Sequence, residues 1–156
     1  MGYNSLVLMA IANANYELIY CNIGTNGRVC DGSAIENTKV YEKLVTGELR
    51  LPNPSAVKNG TMQLPCVFIE DKAFSLRKDF LKPFSQRNLQ TERKIFNYRL
   101  SRARRIIENV FGIIAARFKI FHTDINLRLD HIVVMTCAVL HNFMRKKCSD
   151  VYTPID

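Results

Sequence analysis

A chain of 156 residues, 47% hydrophobic and 23% charged, is long enough for one sizeable core and too short for two, and its composition excludes the class of chains that stays disordered. Its longest apolar run, Leu6 to Ala12, is far too short to span a bilayer of about 30 Å, and no basic segment precedes it, which predicts a soluble intracellular protein with no membrane partner. The net charge of +8 is concentrated between Lys72 and Lys119, where thirteen Lys or Arg stand against three acids; so uneven an excess points to a polyanion-facing surface, with a merely solvated helix face as the alternative.

In chain order, Leu6–Ala12 is an unbroken apolar run that predicts a strand buried on both faces. Asn13-Ala14-Asn15 supplies turn chemistry, and Tyr16 to Ile23 reads as the returning strand of a hairpin, closed by Gly24-Thr25-Asn26-Gly27. Ser33-Ala34-Ile35-Glu36 matches a capping box and predicts a helix to about Leu44. Thr46 to Leu64, with Pro52, Pro54 and two glycines, lacks a sustained period and reads as a long surface connection. Cys66-Val67-Phe68-Ile69 is a third apolar strand running into Glu70-Asp71.

The clearest helix lies between about Thr91 and Phe121, where Phe96, Leu100, Ala103, Ile107, Val110, Phe111, Ile114 and Phe118 recur in steps of three and four. Asp130 caps a last helix through Ile132, Val133, Thr136, Val139, Leu140 and Phe143, apolar almost all round and so predicted to be buried, with Arg145-Lys146-Lys147 at its C-terminal dipole end. Residues after Cys148 read as a frayed tail, giving a domain over 1–148 and a tail over 149–156. The five cysteines, Cys21, Cys30, Cys66, Cys137 and Cys148, never form a CxxC pair and read as reduced thiols.

Two acids stand out. Asp71 follows a hydrophobic strand directly, where a side chain emerges at a sheet edge on a rigid base, although an acid there is more often a turn residue. Glu108 falls beside the apolar stripe of its helix, next to Leu100, Ile107 and Phe111, and a carboxylate at such a border needs a cationic partner. Arg104, one turn back, is one candidate; a divalent metal shared with Asp71 is the other. Asp31 reads as a helix-entry cap or a residue supporting the site. His141, inside an apolar helix, reads as a core histidine, while His122, His131, Cys30 and Cys66 lack the spacing or partners of a metal or thiol site.

Strand, Asp71, basic segment and Glu108 on a helix together resemble the DDE nuclease domain of Harbinger-type transposases. The likeness is carried by Asn26-Gly27-Arg28-Val29-Cys30-Asp31-Gly32, by Phe68-Ile69-Glu70-Asp71-Lys72-Ala73-Phe74-Ser75-Leu76 with Leu81-Lys82-Pro83-Phe84 after it, by Phe96 to Gly112, and by Cys137-Ala138-Val139-Leu140-His141-Asn142-Phe143. The resemblance implies an α/β, RNase H-like fold and DNA strand cleavage with divalent metal, Mg²⁺ or Mn²⁺, for which Asp71 and Glu108 would be the second and third carboxylate ligands. One ion would activate the attacking water and the other would stabilise the leaving oxygen. It also implies a nuclear location and a separate DNA-binding partner protein.

Three features depart from the pattern. The family's first catalytic Asp lies on a strand upstream of the opening hairpin, so the fold is expected to be partial, with the first strand missing and cleavage impaired. Asn13 stands where relatives often carry Asp, and Lys72 places a cation beside Asp71. A second reading is therefore a non-catalytic remnant that binds nucleic acid through Arg99, Arg102, Arg105 and Asn109, and a third is a protein-interaction module.

Overall fold

The computed structural model describes residues 6–26, 35–57, 60–70, 77–85, 89–123 and 130–152. It is a mixed α/β protein in which helices accompany small two-stranded sheets. Its chain divides into two units, one comprising Met1–Gly27 with Arg104–Asp156 and the other Arg28–Ala103.

The first unit opens with a hairpin of β1 (Leu6–Ala12) and β2 (Leu18–Asn26), antiparallel, with Leu8 opposite Ile23 and Ala12 opposite Leu18. The apolar run is a strand where the sequence predicts one, but Val7 to Ala12 are half-buried rather than enclosed on both faces. The return strand continues through Gly24-Thr25-Asn26 because ladder pairing with β1 overrides the local turn preference of those residues. At the turn, the Asn13 side-chain oxygen accepts from the backbone N–H groups of Asn15 (2.9 Å) and Glu17 (3.0 Å), and its amide donates to the Glu17 carboxylate at 2.8 Å. This local satisfaction is what suits Asn to tight turns. It leaves Tyr16 at φ 60°, a left-handed conformation that is strained for a bulky side chain.

Against the hairpin lie parts of two helices, α2 (Thr91–Arg117) and α3 (Asp130–Lys147). Leu18, Val110, Ile114 and Ala138 form the buried centre, with Ala10, Ala12, Tyr16, Cys21, Ile107, Phe118 and Phe121 partly buried around it. Burying each of the larger aliphatic side chains stabilises by roughly 1.5–3 kcal/mol. The predicted helix to Phe121 ends as an α-helix at Arg117, and Lys119–His122 follow as a 3₁₀ turn that still packs Phe121 on the core.

Helix α3 corrects one expectation. Cys137, Ala138 and His141 are buried, but Ile132 (59% exposed), Val139 (64%) and Phe143 (58%) are not. An all-round apolar helix need not be enclosed all round: α3 buries the side that carries its small residues and His141. That histidine, wholly buried, bonds to the Tyr16 carbonyl through Nε2 (2.7 Å) and to the Tyr152 hydroxyl through Nδ1 (2.9 Å). A carbonyl can only accept, so Nε2 carries the proton and the neutral ring accepts from Tyr152 at Nδ1. Burial lowers the pKa of His141 below its ordinary 6.5, the Tyr16 carbonyl opposes the shift, and nearby Arg145 reinforces it. The adjacent Asn142 takes the Leu18 N–H at 2.8 Å and donates to the Leu18 carbonyl at 2.7 Å, while Arg145 donates to the Asn15 carbonyl at 2.9 Å. His141, Asn142 and Arg145 thus hold three successive points of the strained turn.

The predicted frayed tail is also corrected over its described part. Ser149–Tyr152 forms a short helix, α4, and Tyr152 is buried against His141. Arg117 donates to the carbonyls of Val151 and Tyr152, each at 2.8 Å, and stacks over the Tyr152 ring.

In the second unit, helix α1 (Lys39–Thr46) starts at Thr38, whose hydroxyl accepts from the Tyr41 N–H, and ends at Gly47 with φ 75°. Left-handed backbone of this kind favours glycine at a helix end. Ile35 and Glu36 are helical ahead of that start; Ser33 and Ala34, the first half of the expected capping box, lie outside the described residues. The long connection contains a small exposed ladder of β3 (Ser55–Ala56) with β4 (Gln63–Leu64). Strand β5 (Phe68–Ile69) pairs in parallel with β6 (Phe80–Leu81), and the Phe68 and Phe80 rings meet at 5.8 Å. The side chain of Asn97, on the part of α2 in this unit, takes the Phe84 N–H at 2.9 Å and donates to the Phe84 carbonyl at 3.0 Å, which ties the segment after β6 to the helix. No described helix is long and apolar enough to cross a membrane.

Candidate metal and nucleic-acid site

Strand β5 leads into the first acidic pair. Its ladder continues one residue further, with the Glu70 N–H donating to the Leu81 carbonyl at 3.0 Å. Alternate residues of extended chain share a face, so Glu70 follows Phe68 inward. Glu70 is 8% exposed and neither carboxylate oxygen has a hydrogen-bond partner among the described residues. Burial pushes its pKa up to about 7, against the opposing pull of the Lys82 charge. Asp71, the expected metal ligand, lies outside the described residues, as do Lys72 and Asp31.

Glu108 stands on α2 and is not at the border of the core: its side chain is 60% exposed. The argument that desolvation obliges it to find a cation therefore does not hold. Its position one step round the helix from the Ile107–Val110 stripe is enough to bring it into solvent. Arg104 lies 3.7 Å away across one helical turn, which is the ion-pair alternative raised by the spacing. Exposed pairs of this type contribute only about 0.3–0.5 kcal/mol, so the carboxylate is held loosely.

Along the same helix Arg99, Arg102, Arg105 and Asn109 are all exposed. Arg102 approaches the Tyr98 ring at 6.0 Å. Asn109 has a structural contact besides, donating to the Tyr16 hydroxyl at 3.5 Å. No acid occurs between Glu92 and Glu108, so the cationic stretch is locally uncompensated except by Glu108 itself.

Residues 1–142 match the family model described as DDE superfamily endonuclease. The chain belongs to that family. No curated protein and no solved structure matches the chain. Endonucleases of this superfamily cleave phosphodiester bonds in nucleic acid and generally use divalent metals.

Carboxylate oxygens are hard donors suited to Mg²⁺ or Mn²⁺. Glu70, whose oxygens have no hydrogen-bond partner among the described residues, and exposed Glu108 belong to different units of the chain, and no group of three or more His, Cys, Asp or Glu comes together among the described residues.

The endonuclease match also takes in the Leu140-His141-Asn142 motif. His141 is the core histidine that the sequence suggests, and Asn142 beside it supports the turn rather than the chemistry. The described cysteines are free thiols, and burial raises the pKa of Cys21 and Cys137. His122 bonds to the Ala115 carbonyl at 2.9 Å, a local structural contact. Glu70 is the residue that sequence reasoning passed over. Its signal was available, since a carboxylate two positions after Phe68 in an extended run shares the face of that half-buried ring.

Proposed function

We propose that this chain is a Harbinger-type DDE nuclease domain of RNase H-like fold that acts on DNA strands in the nucleus, with impaired cleavage, using Mg²⁺ or Mn²⁺ held by Asp71 and Glu108. The observation that carries the reading is the endonuclease match over residues 1–142, which includes both acids. A bound divalent ion lowers the pKa of an attacking water and neutralises charge developing at phosphorus. The protein's own part is to offer two carboxylates from different elements, one after β5 and one on α2, and to attract the phosphate backbone with the cations that flank Glu108.

The test is nicking of supercoiled duplex DNA by the purified chain with Mg²⁺ or Mn²⁺. Cleavage that EDTA stops, and that Asp71→Ala and Glu108→Ala each abolish, supports the reading. Cleavage that survives both substitutions refutes the assignment of these ligands.

A second reading is favoured by the exposure of Arg99, Arg102 and Arg105 on one helix: metal-independent binding of DNA through phosphate contacts. In that case affinity falls steeply with salt and ignores EDTA. The separate DNA-binding partner protein that the Harbinger resemblance implies belongs with either reading.

A further inference from the structure

We propose that Tyr98 on helix α2 is a stacking platform for an unpaired base, so that this part of the domain takes hold of single-stranded DNA, or of a strand opened at a cleavage site, in preference to intact duplex. The inference rests on the reading that the domain acts on DNA, and it adds which form of DNA the helix grips. Tyr98 is 60% exposed, and its only ring contact among the described residues is the Arg102 guanidinium at 6.0 Å. Lys94 and Arg102 lie one turn to either side of it at i−4 and i+4, which places both on its side of the helix, and Lys94, Arg99 and Arg102 are all exposed. None of these three cations is ion-paired among the described residues.

The helix has reason to be cationic here, because the phosphate backbone supplies complementary charge. It has no packing reason to present an aromatic ring, since the apolar stripe of this part of α2 is supplied by Phe96 and Leu100. Tyrosine offers a rigid π-face with few rotatable bonds, and an arginine beside that face strengthens attraction to a base stacked on it. Intact duplex keeps its bases stacked on each other and shows the helix only phosphates and groove edges. Tyr98 can therefore discriminate by strandedness, while Lys94, Arg99 and Arg102 cannot.

The experiment uses the whole 156-residue chain and two labelled probes, a single-stranded mixed-sequence oligonucleotide and its duplex, with affinity read by fluorescence anisotropy. A 2-aminopurine substituted in the single strand reports stacking. Tyr98→Ala is expected to weaken single-strand binding about tenfold and to abolish the 2-aminopurine quench, with duplex binding changed less than about twofold; Tyr98→Trp should restore both single-strand signals. Lys94→Ala and Arg102→Ala should weaken both probes and reduce the salt dependence by roughly one phosphate contact each. Unchanged thermal unfolding confirms that the exposed substitutions leave the fold intact. Equal losses on both probes, or less than about twofold loss on the single strand, overturns the platform and leaves the DNA reading standing. If the unaltered chain binds neither probe, the reading of a DNA-acting domain fails together with it.

Discussion

Two buried titratable side chains are treated in opposite ways in the two units of this molecule. His141 has a partner at each ring nitrogen, the Tyr16 carbonyl and the Tyr152 hydroxyl. Glu70 has no hydrogen-bond partner at either oxygen among the described residues. The first arrangement removes a polar group from water and satisfies it completely, as a structural residue requires. The second leaves a carboxylate stranded at the end of the strand that leads into Asp71, and natural proteins keep such unsatisfied groups chiefly where an ion or a reaction is to be accommodated. The comparison separates what builds the domain from what equips it.

The sharpest way to break the comparison is to delete one group from each side. His141→Ala removes a fully buried ring, opens a cavity and orphans the Tyr16 carbonyl and the Tyr152 hydroxyl, so a loss of about 3–5 kcal/mol is expected in urea denaturation. Glu70→Gln keeps the shape and removes a buried carboxylate that has no hydrogen-bond partner among the described residues. It should cost little at neutral pH and stabilise the chain at pH 8. A large loss from Glu70→Gln at pH 8 would show that the carboxylate is compensated after all, and the contrast between the units would vanish.

Much of this was legible in the sequence. The hairpin and the long helix α2 follow from an unbroken apolar run and a sustained helical period, signals long enough to survive tertiary context, and His141 on an apolar helix was readable as a core histidine. The exposed flank of α3 was not readable, because a helix apolar on every side does not say which side finds a partner. The support of the strained Tyr16 was hidden for a different reason: the contacts that Arg145 and His141 make with it come from more than a hundred residues away along the chain. Glu108 was read one step too far toward the core, since a helical wheel locates a residue only to within a fraction of a turn. Glu70 is masked in the sequence by the adjacent Asp71, which matches the family pattern, although strand alternation from Phe68 points to it. Asp71, on which the metal assignment leans most, lies outside the described residues.

A smaller effect concerns pH, and here the two groups act in opposite senses. The folded pKa of His141 is depressed below 6.5, so its unfolded state binds the proton more readily. Its contribution is complete above about pH 6.5 and is lost as the pH falls. Glu70 is raised from 4.5 to about 7, so the folded state holds the proton more readily; its contribution is complete below 4.5 and is lost as the pH rises through about 7. Just below pH 6.5 the two slopes oppose each other, each approaching ~1.4 kcal/mol per pH unit at full one-proton difference. The unaltered chain should therefore show a flattened stability profile there. Glu70→Gln should expose the histidine slope, with stability falling toward acid, as measured by urea midpoints at a series of pH values. An unchanged profile in Glu70→Gln would mean that this carboxylate does not hold its proton in the folded state.

The smallest effect bears most directly on the metal. If Glu108 is a ligand, it must leave Arg104 to become one, because a carboxylate cannot give the same lone pairs fully to a guanidinium and to a cation. Arg104→Ala removes the competitor at 3.7 Å. An exposed pair worth about 0.3–0.5 kcal/mol corresponds to roughly a twofold change in an equilibrium constant, so Mn²⁺ affinity, read by electron paramagnetic resonance of the free ion, should rise about twofold. Stability without metal should fall as the pair is lost. The combination matters more than either result. A substitution that slightly loosens the fold while tightening metal binding identifies Glu108 as a residue shared between the two roles. Tightening that persists when Glu108→Gln is added to Arg104→Ala would trace instead to the general removal of positive charge, and Glu108 would then have no place among the ligands.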